Sequence, residues 1–350
     1  MRFFWRWLKR LAVVLVMVVV GLLSPVAYSE VMCRPTGDPN ASQTILEPDH
    51  HRLESRTLMT YPEWHIVHAY EDYARVLQAS DPHDYQFTTG IAGFWGSLCT
   101  LSKAAGQLGP EDSATKQMVY VIGVSFTAEL LAKAAYEETL GRLFAVLRGQ
   151  NRAPLDDVSA RQARDYAEFL QQVPWYKWDF RADAQALTDN GTQNLRDRER
   201  QIALGIEYRA KAAYAEIIAA AVSEVGADAL TLRMIVDGAT PETLARLDGV
   251  TVIGDTGSGI EIETVRYRAL THLMQDMSNV GVEFIEIAGN DDIMFSIVSD
   301  AAEHPKAIYS DARQGFDNYR HLILTDVADL ASDLRALDGG RERLEHIHDY

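Results

Sequence analysis

Cysteine is nearly absent from the chain, with two in 350 residues, Cys33 and Cys99. That excludes a cysteine-rich zinc module, which needs several thiolates in one place. Positive charge is also scarce, 33 Lys and Arg against 50 Asp and Glu, for a net charge of −17. A surface that acidic repels phosphate backbones and anionic headgroups, so no nucleic-acid partner and no polybasic lipid contact is expected. The signature motifs of common enzymes are missing too. Gly254-Asp255-Thr256-Gly257-Ser258-Gly259 has neither the lysine nor the spacing of a P-loop and reads as a turn between strands. Ser125, in Gly-Val-Ser-Phe-Thr, is not a nucleophile elbow. No cofactor is expected. Internal repeats and low-complexity tracts are lacking.

What is present begins at the N-terminus. Arg2, Arg6, Lys9 and Arg10 alternate with aromatics, and Leu11 to Leu23 then runs 13 residues without a charge. A signal-peptide core takes roughly 7–15 apolar residues and a spanning helix about 20. Extending the run to Tyr28, with Phe3, Phe4, Trp5 and Trp7 as interfacial anchors, favours a retained anchor over residues 1–28. Cleavage near Ala27 and Ser29, releasing the rest into the periplasm, is the alternative. The basic tip keeps the N-terminus cytoplasmic, so the bulk is expected in the periplasm of a single-pass membrane protein. Beyond Arg34 there remain 28 basic and 49 acidic residues, a net −21. An even cysteine count outside the cytoplasm points to a Cys33–Cys99 disulfide, worth roughly 4 kcal/mol in loop entropy.

The expected fold class is α+β: membrane segment, helical bundle, then a ferredoxin-like sandwich. Residues 29–57, polar and with three prolines within 34–57, read as a linker. A helical domain follows over 58–226. Thr60-Tyr61-Pro62-Glu63 carries a capping-box pattern ahead of Ile66, Tyr70, Tyr73 and Leu77 at helical spacing. A long core helix is predicted over 115–149, too soon interrupted by charge at Glu129 and Lys133 to span a bilayer. Asp156 or Asp157 can cap the next helix, which Pro174 stops. A last one near 195–225 places Ile202, Ile206, Ala210, Ala213 and Ile217 on one stripe. After Asp228 the period becomes two. Strands are predicted near 229–236, 250–254, 259–267, 282–288, 293–299, 321–326 and 343–349, and helices near 241–247, 268–278 and 327–337. Ala288-Gly289-Asn290-Asp291-Asp292 reads as the turn of a hairpin. The order from Gly259 fits a ferredoxin-like domain within 228–350, with 300–318 as an insertion.

Tyr61-Pro62-Glu63-Trp64-His65-Ile66-Val67-His68, Phe94-Trp95-Gly96-Ser97-Leu98-Cys99, Glu286-Ile287-Ala288-Gly289-Asn290 and the closing Glu345-His346-Ile347-His348-Asp349-Tyr350 resemble a group of uncharacterised bacterial proteins with one N-terminal hydrophobic segment. The resemblance covers most of the chain and implies no activity, cofactor or partner. Positions 65, 68 and 348 are often tyrosine in that group, so the histidines here are departures from it.

Three clusters are candidate sites. On the helix beginning at Pro62, Tyr61, Trp64, His65, His68 and Asp72 project opposite the apolar stripe. Two histidines and a carboxylate at that spacing can converge on one ion. A polar face that needs cover is the plainer reading, and no metal is expected. Trp175 and Trp178, in Pro174-Trp175-Tyr176-Lys177-Trp178-Asp179-Phe180, can stack on a sugar, meet a protein or wedge a helix end into the core. Leu344, His346, His348 and Tyr350 share one face of the last strand. Taken together the sequence predicts a non-enzymatic envelope protein that contacts another protein or senses a small ligand. Tyr61, Trp64, His65, His68, Trp175 and Trp178 are its expected binding residues. A metal-assisted hydrolase using His65, His68 and a carboxylate is the second reading, and a periplasmic carbohydrate binder the third.

Overall fold

The computed structural model describes residues 2–36, 44–109, 112–225 and 231–349. Residues 37–43 of the expected linker, the boundary placed at 226–228 and Tyr350 lie outside them. Helix α1 (Arg2–Met32) is apolar and long enough to cross a membrane, about 46 Å at 1.5 Å per residue. Its far end does not lead into a free linker. Val26 packs against the bundle core, Ser29 and Cys33 are buried, and Cys33 is disulfide-bonded to Cys99. Downstream, the Ile45 and Leu46 N–H groups donate to Glu286 and the Arg52 N–H to the Ala288 carbonyl.

Among the described residues seven helices form the bundle: α2 (Glu54–Ala79), α3 (Phe87–Ala105), α4 (Ser113–Tyr136), α5 (Arg142–Arg148), α6 (Pro154–Leu170), α7 (Phe180–Asn190) and α8 (Leu195–Val225). Helix α2 starts six residues before Thr60, which overturns the capping box and puts Pro62 inside the helix. Interior proline costs roughly 3 kcal/mol. Burying Leu58 and Met59 on the added turn returns about 1.5–3 kcal/mol each, so packing wins. Asp156 does cap α6, from its third position back to the Ala153 N–H at 2.9 Å. The long helix expected over 115–149 is α4 and α5 joined by a π turn at Glu137–Gly141, which turns Glu137 inward. By length and composition Ser113–Arg148 is also apolar enough to span a membrane, although its inner side, with Val119, Phe126 and Leu130, is built into the bundle core.

Helix α8 reverses its expected orientation. The stripe of Ile202, Ile206, Ala210, Ala213 and Ile217 faces outward, and Leu204, Ala212 and Ala215 face in beside Arg196, Glu199 and Arg200. The reason lies in the partners. Arg200 makes a paired contact with Glu137 at 2.9 and 3.1 Å, and Arg196 meets Asp156 and Glu199 at 2.9 Å. Lys211 meets Glu129 at 2.8 Å and Lys133 meets Glu207 at 2.9 Å, so α8 lies antiparallel to α4 along a charged seam.

The C-terminal part is α+β but not a single ferredoxin-like sheet. Strands β1 (Thr231–Asp237), β2 (Val250–Asp255), β3 (Ile260–Val265) and β4 (Glu283–Ile287) form one antiparallel sheet in the order β2-β3-β1-β4. Strands β5 (Asp292–Ser299), β6 (Ala307–Ala312), β7 (Tyr319–Asp326) and β8 (Arg343–His348) form a second, in the order β6-β7-β5-β8. The six elements read as one unit from Gly259 are therefore split between two sheets. Ala288 to Asn290 make the expected tight turn, but the strands it joins do not continue as a hairpin: β4 pairs with β1 and β5 with β7 and β8. The turn closes on itself, Ile287 and Asn290 exchanging backbone hydrogen bonds at 3.2 and 3.0 Å, and outside contacts add to it, with the Ala288 N–H on the Arg233 carbonyl and the Asn290 amide on the Arg52 carbonyl. Strand β6 occupies what reads as an insertion. Short α9 (Pro241–Leu244), α10 (Tyr267–Asn279) and α11 (Val327–Leu337) complete the unit. Leu270, Met274, Leu330 and Leu334 from α10 and α11 share one core with Phe284 of the first sheet and Phe295 of the second.

Candidate functional site

The second sheet is buried on both faces, and period two assigns its residues. Ile293, Phe295, Ile297, Ile323 and Ile347 face the core with α10 and α11; Met294 and Leu322 face the bundle. What they meet there is the polar side of α2. Its apolar side, with Tyr73 and Leu77, is occupied by other helices. Tyr61, His65, His68 and Asp72 are thus all buried and Trp64 half-buried, covered by the chain's own sheet.

Each strand supplies part of the layer. Strand β6 brings Tyr309 and Asp311, the turn after it Arg313, and β7 brings Arg320. Strand β8 has an irregularity: Ser296 pairs with His346 and Ile297 with Leu344, leaving Glu345 as an extra residue. Such a bulge shifts the alternation by one. Leu344 consequently packs into the core between the sheets, away from His346 and His348, which corrects their expected common face. Glu345 joins the histidines on the bundle side, where it binds Arg320 through two hydrogen bonds.

At the centre His68 stands between two carboxylates. Its Nδ1 is 3.9 Å from Glu71 and its Nε2 3.8 Å from Glu345, and neither nitrogen has a hydrogen-bond partner. Glu71 is held by Arg313 at 2.8 Å, and the Asp72 carboxylate accepts the Gln314 N–H at 2.8 Å. Burial pushes the Asp72 carboxyl up to about 7. Burial also lowers all four histidines below their usual range: His65 to about 4, His346 to about 3, and His68 and His348 in the same direction. They are neutral imidazoles at neutral pH. Trp64 lies 3.7 Å from His346, centroid to centroid, and the Tyr61 ring meets His348 at 5.1 Å. His346 accepts or donates through Nδ1 to Thr271 at 3.2 Å, whereas its Nε2 and both nitrogens of His348 are without a hydrogen-bond partner.

His65 and His68 do not converge on one ion. The His65 Nε2 bonds the Gly90 carbonyl at 2.9 Å, and its Nδ1 faces Asp311 at 3.7 Å. Among the described residues the set close enough to hold a metal is His68, Glu71 and Glu345, whose donor atoms lie within 4.8 Å of one another. Trp175 and Trp178 are half-buried at a helix junction. Trp178 donates from Nε1 to Asp183 at 2.6 Å, and Trp175 lies 5.3 Å from Tyr214 of α8. Residues not anticipated in the layer are Glu71, Tyr309, Asp311, Arg313, Arg320 and Glu345. For Tyr309, Asp311 and Arg313 the signal in the sequence is their period-two spacing, which reads as strand only once 307–312 is no longer treated as an insertion.

A second feature lies on the outside. Ile202, Ile206 and Ile217 of α8 are 65, 63 and 66% exposed, and Leu143, Val146 and Leu147 of α5 are exposed beside them. On α4 the outward Val121, Ser125, Ala128, Leu131, Ala132 and Ala135 include no charge. Helix α4 begins next to α1, where Lys116 meets Glu30 at 3.3 Å. No family model matches the chain, and neither a curated protein nor a solved structure matches it.

Proposed function

We propose that this chain is a non-enzymatic contact protein of the cell envelope, tethered by α1 with its N-terminus in the cytoplasm and its body in the periplasm. Its partner is an apolar protein surface at or near the membrane, and it docks on the outer face of α4, α5 and α8. The observation that carries this reading is the reversed helix α8. Monomeric soluble proteins rarely leave a contiguous apolar patch uncovered. Here the chain exposes three isoleucines on one helix while burying Arg196 and Arg200 on its other side. Helix α8 is tied to α4, whose first turn meets α1, which places the occupant of this face close to the tether. The Cys33–Cys99 disulfide supports an oxidising compartment. Catalysis at the histidine layer has less support, because its ring nitrogens are enclosed and the aromatic segment at Trp175–Trp178 is packed between helices.

The test is photo-crosslinking in native membranes from a reactive group at Ile206, with Ser258 on the remote sheet as control. One discrete adduct at Ile206, abolished by Ile202→Glu, is expected. Equal yields at both positions would end the proposal.

A further inference from the structure

We infer that His68, Glu71 and Glu345 form a divalent transition-metal site, with zinc the first cation to try. The set comprises one imidazole and two carboxylates, a donor combination suited to borderline divalent ions. Three observations carry it, and none depends on the outer apolar face.

The first is His68 itself. It is 4% exposed, with Nδ1 facing Glu71 and Nε2 facing Glu345, yet neither ring nitrogen makes a hydrogen bond. A buried polar atom without a partner costs roughly 1–3 kcal/mol, so an enclosed imidazole left this way implies an occupant. The second is charge. The ion pairs around His68 join Glu71, Asp72 and Glu345 to Arg313 and Arg320, three carboxylates against two guanidinium groups, and Asp311 stands farther out beside His65. Carboxylates thus exceed guanidinium groups around the imidazole, an imbalance of the sign a cation relieves. The third is support and access. Arg313 holds Glu71 and Arg320 holds Glu345, fixing each carboxylate from behind as outer partners of a metal ligand do. A carboxylate oxygen has two lone pairs, so the arginines do not use up its capacity. Glu71 is partly exposed and lines a surface groove with Arg75, Gln78, Arg164, Arg268 and Phe316, so one ligand of the set reaches solvent.

The donors lie within 4.8 Å of one another. Coordination at about 2.0–2.2 Å requires them to draw together by roughly 1 Å, within reach of side-chain rotation. Both cysteines are in the disulfide, so sulfur is not available as a ligand.

The experiment is zinc titration of the full-length protein in detergent, by competition with a chromophoric chelator, after stripping and checking for residual metal. One zinc per chain is expected. His68→Gln, which keeps a polar side chain, should weaken binding by more than about 100-fold, beyond what loss of an outer partner costs. His272→Ala, at an exposed histidine, should leave it unchanged. X-ray absorption of the zinc-loaded wild type adds a readout that needs no variant, and should show one imidazole among oxygen ligands. Absence of saturable binding by the wild type, unchanged affinity in His68→Gln, or a shell of several imidazoles would each overturn the site.

Discussion

Four histidines enclosed without charge make the α2–sheet interface sensitive to acid. An unfolded histidine titrates near 6.5, whereas burial holds His65 at about 4 and His346 at about 3. Below pH 6.5 the unfolded chain takes up protons that the folded chain refuses. Their contribution is therefore complete above about 6.5 and is lost as the pH falls towards 4 and 3. Asp72 works the other way. Raised to about 7, it favours the fold at low pH and loses that contribution as the pH rises through 7. The histidines outnumber it, so urea midpoints should drop between pH 7.5 and 5. His65→Asn with His346→Asn should flatten that slope, and an unchanged slope would refute the assignment. Gly93 tests the packing of the same layer. A Cβ there would sit 2.3 Å from the His65 ring. Gly93→Ala should cost about 1–3 kcal/mol of unfolding free energy, measured by denaturant titration.

At the scale of elements, helix α8 gives opposed expectations for its two sides. Arg200→Ala strands Glu137 in the interior and should destabilise by about 3–5 kcal/mol. Ile206→Gln, on the outward stripe, should stay within about 0.5 kcal/mol in the purified protein. Thermal melts of the two variants settle the orientation, and equal losses would restore the inward stripe. This helix also marks the limit of what periodicity conveys. Spacing reveals that Ile202, Ile206 and Ile217 share a side, but not which side is buried; that depends on carboxylates at Glu129, Glu137 and Asp156, far away along the chain. Strands other than β6 are legible, since alternation such as Leu232, Met234, Val236 identifies them within a few residues, whereas β6 hides in what reads as an insertion. Their assignment to sheets is not. The turn at Gly289 has hairpin chemistry, and only its bonds to Arg52 and Arg233 reveal a passage between sheets. Likewise, the polar side of α2 is visible as a pattern, while its cover is not, because Tyr309, Arg320 and Glu345 lie about 250 residues on and Glu345 arrives through a bulge.

Across the whole molecule, the bundle and the two sheets are joined by buried polar contacts and by the second sheet, whose two faces serve two cores. The disulfide adds a covalent closure over a separation of 66 residues. Cys33→Ser with Cys99→Ser should lower unfolding free energy by roughly 4 kcal/mol if loop entropy governs. Dithiothreitol should do the same to the wild type and nothing to the double variant; a reductant effect on both would point elsewhere. The same bond has a mechanical side. Should α1 cross a bilayer, the body it carries has almost no leash, because Ser29 and Cys33 are already inside the bundle when the helix ends. Tilt and height above the lipid would then be set by rigid geometry rather than by a swinging tether. Whatever engages this protein must come to it at one fixed elevation, and a neighbour only a few nanometres farther from the lipid would be out of reach.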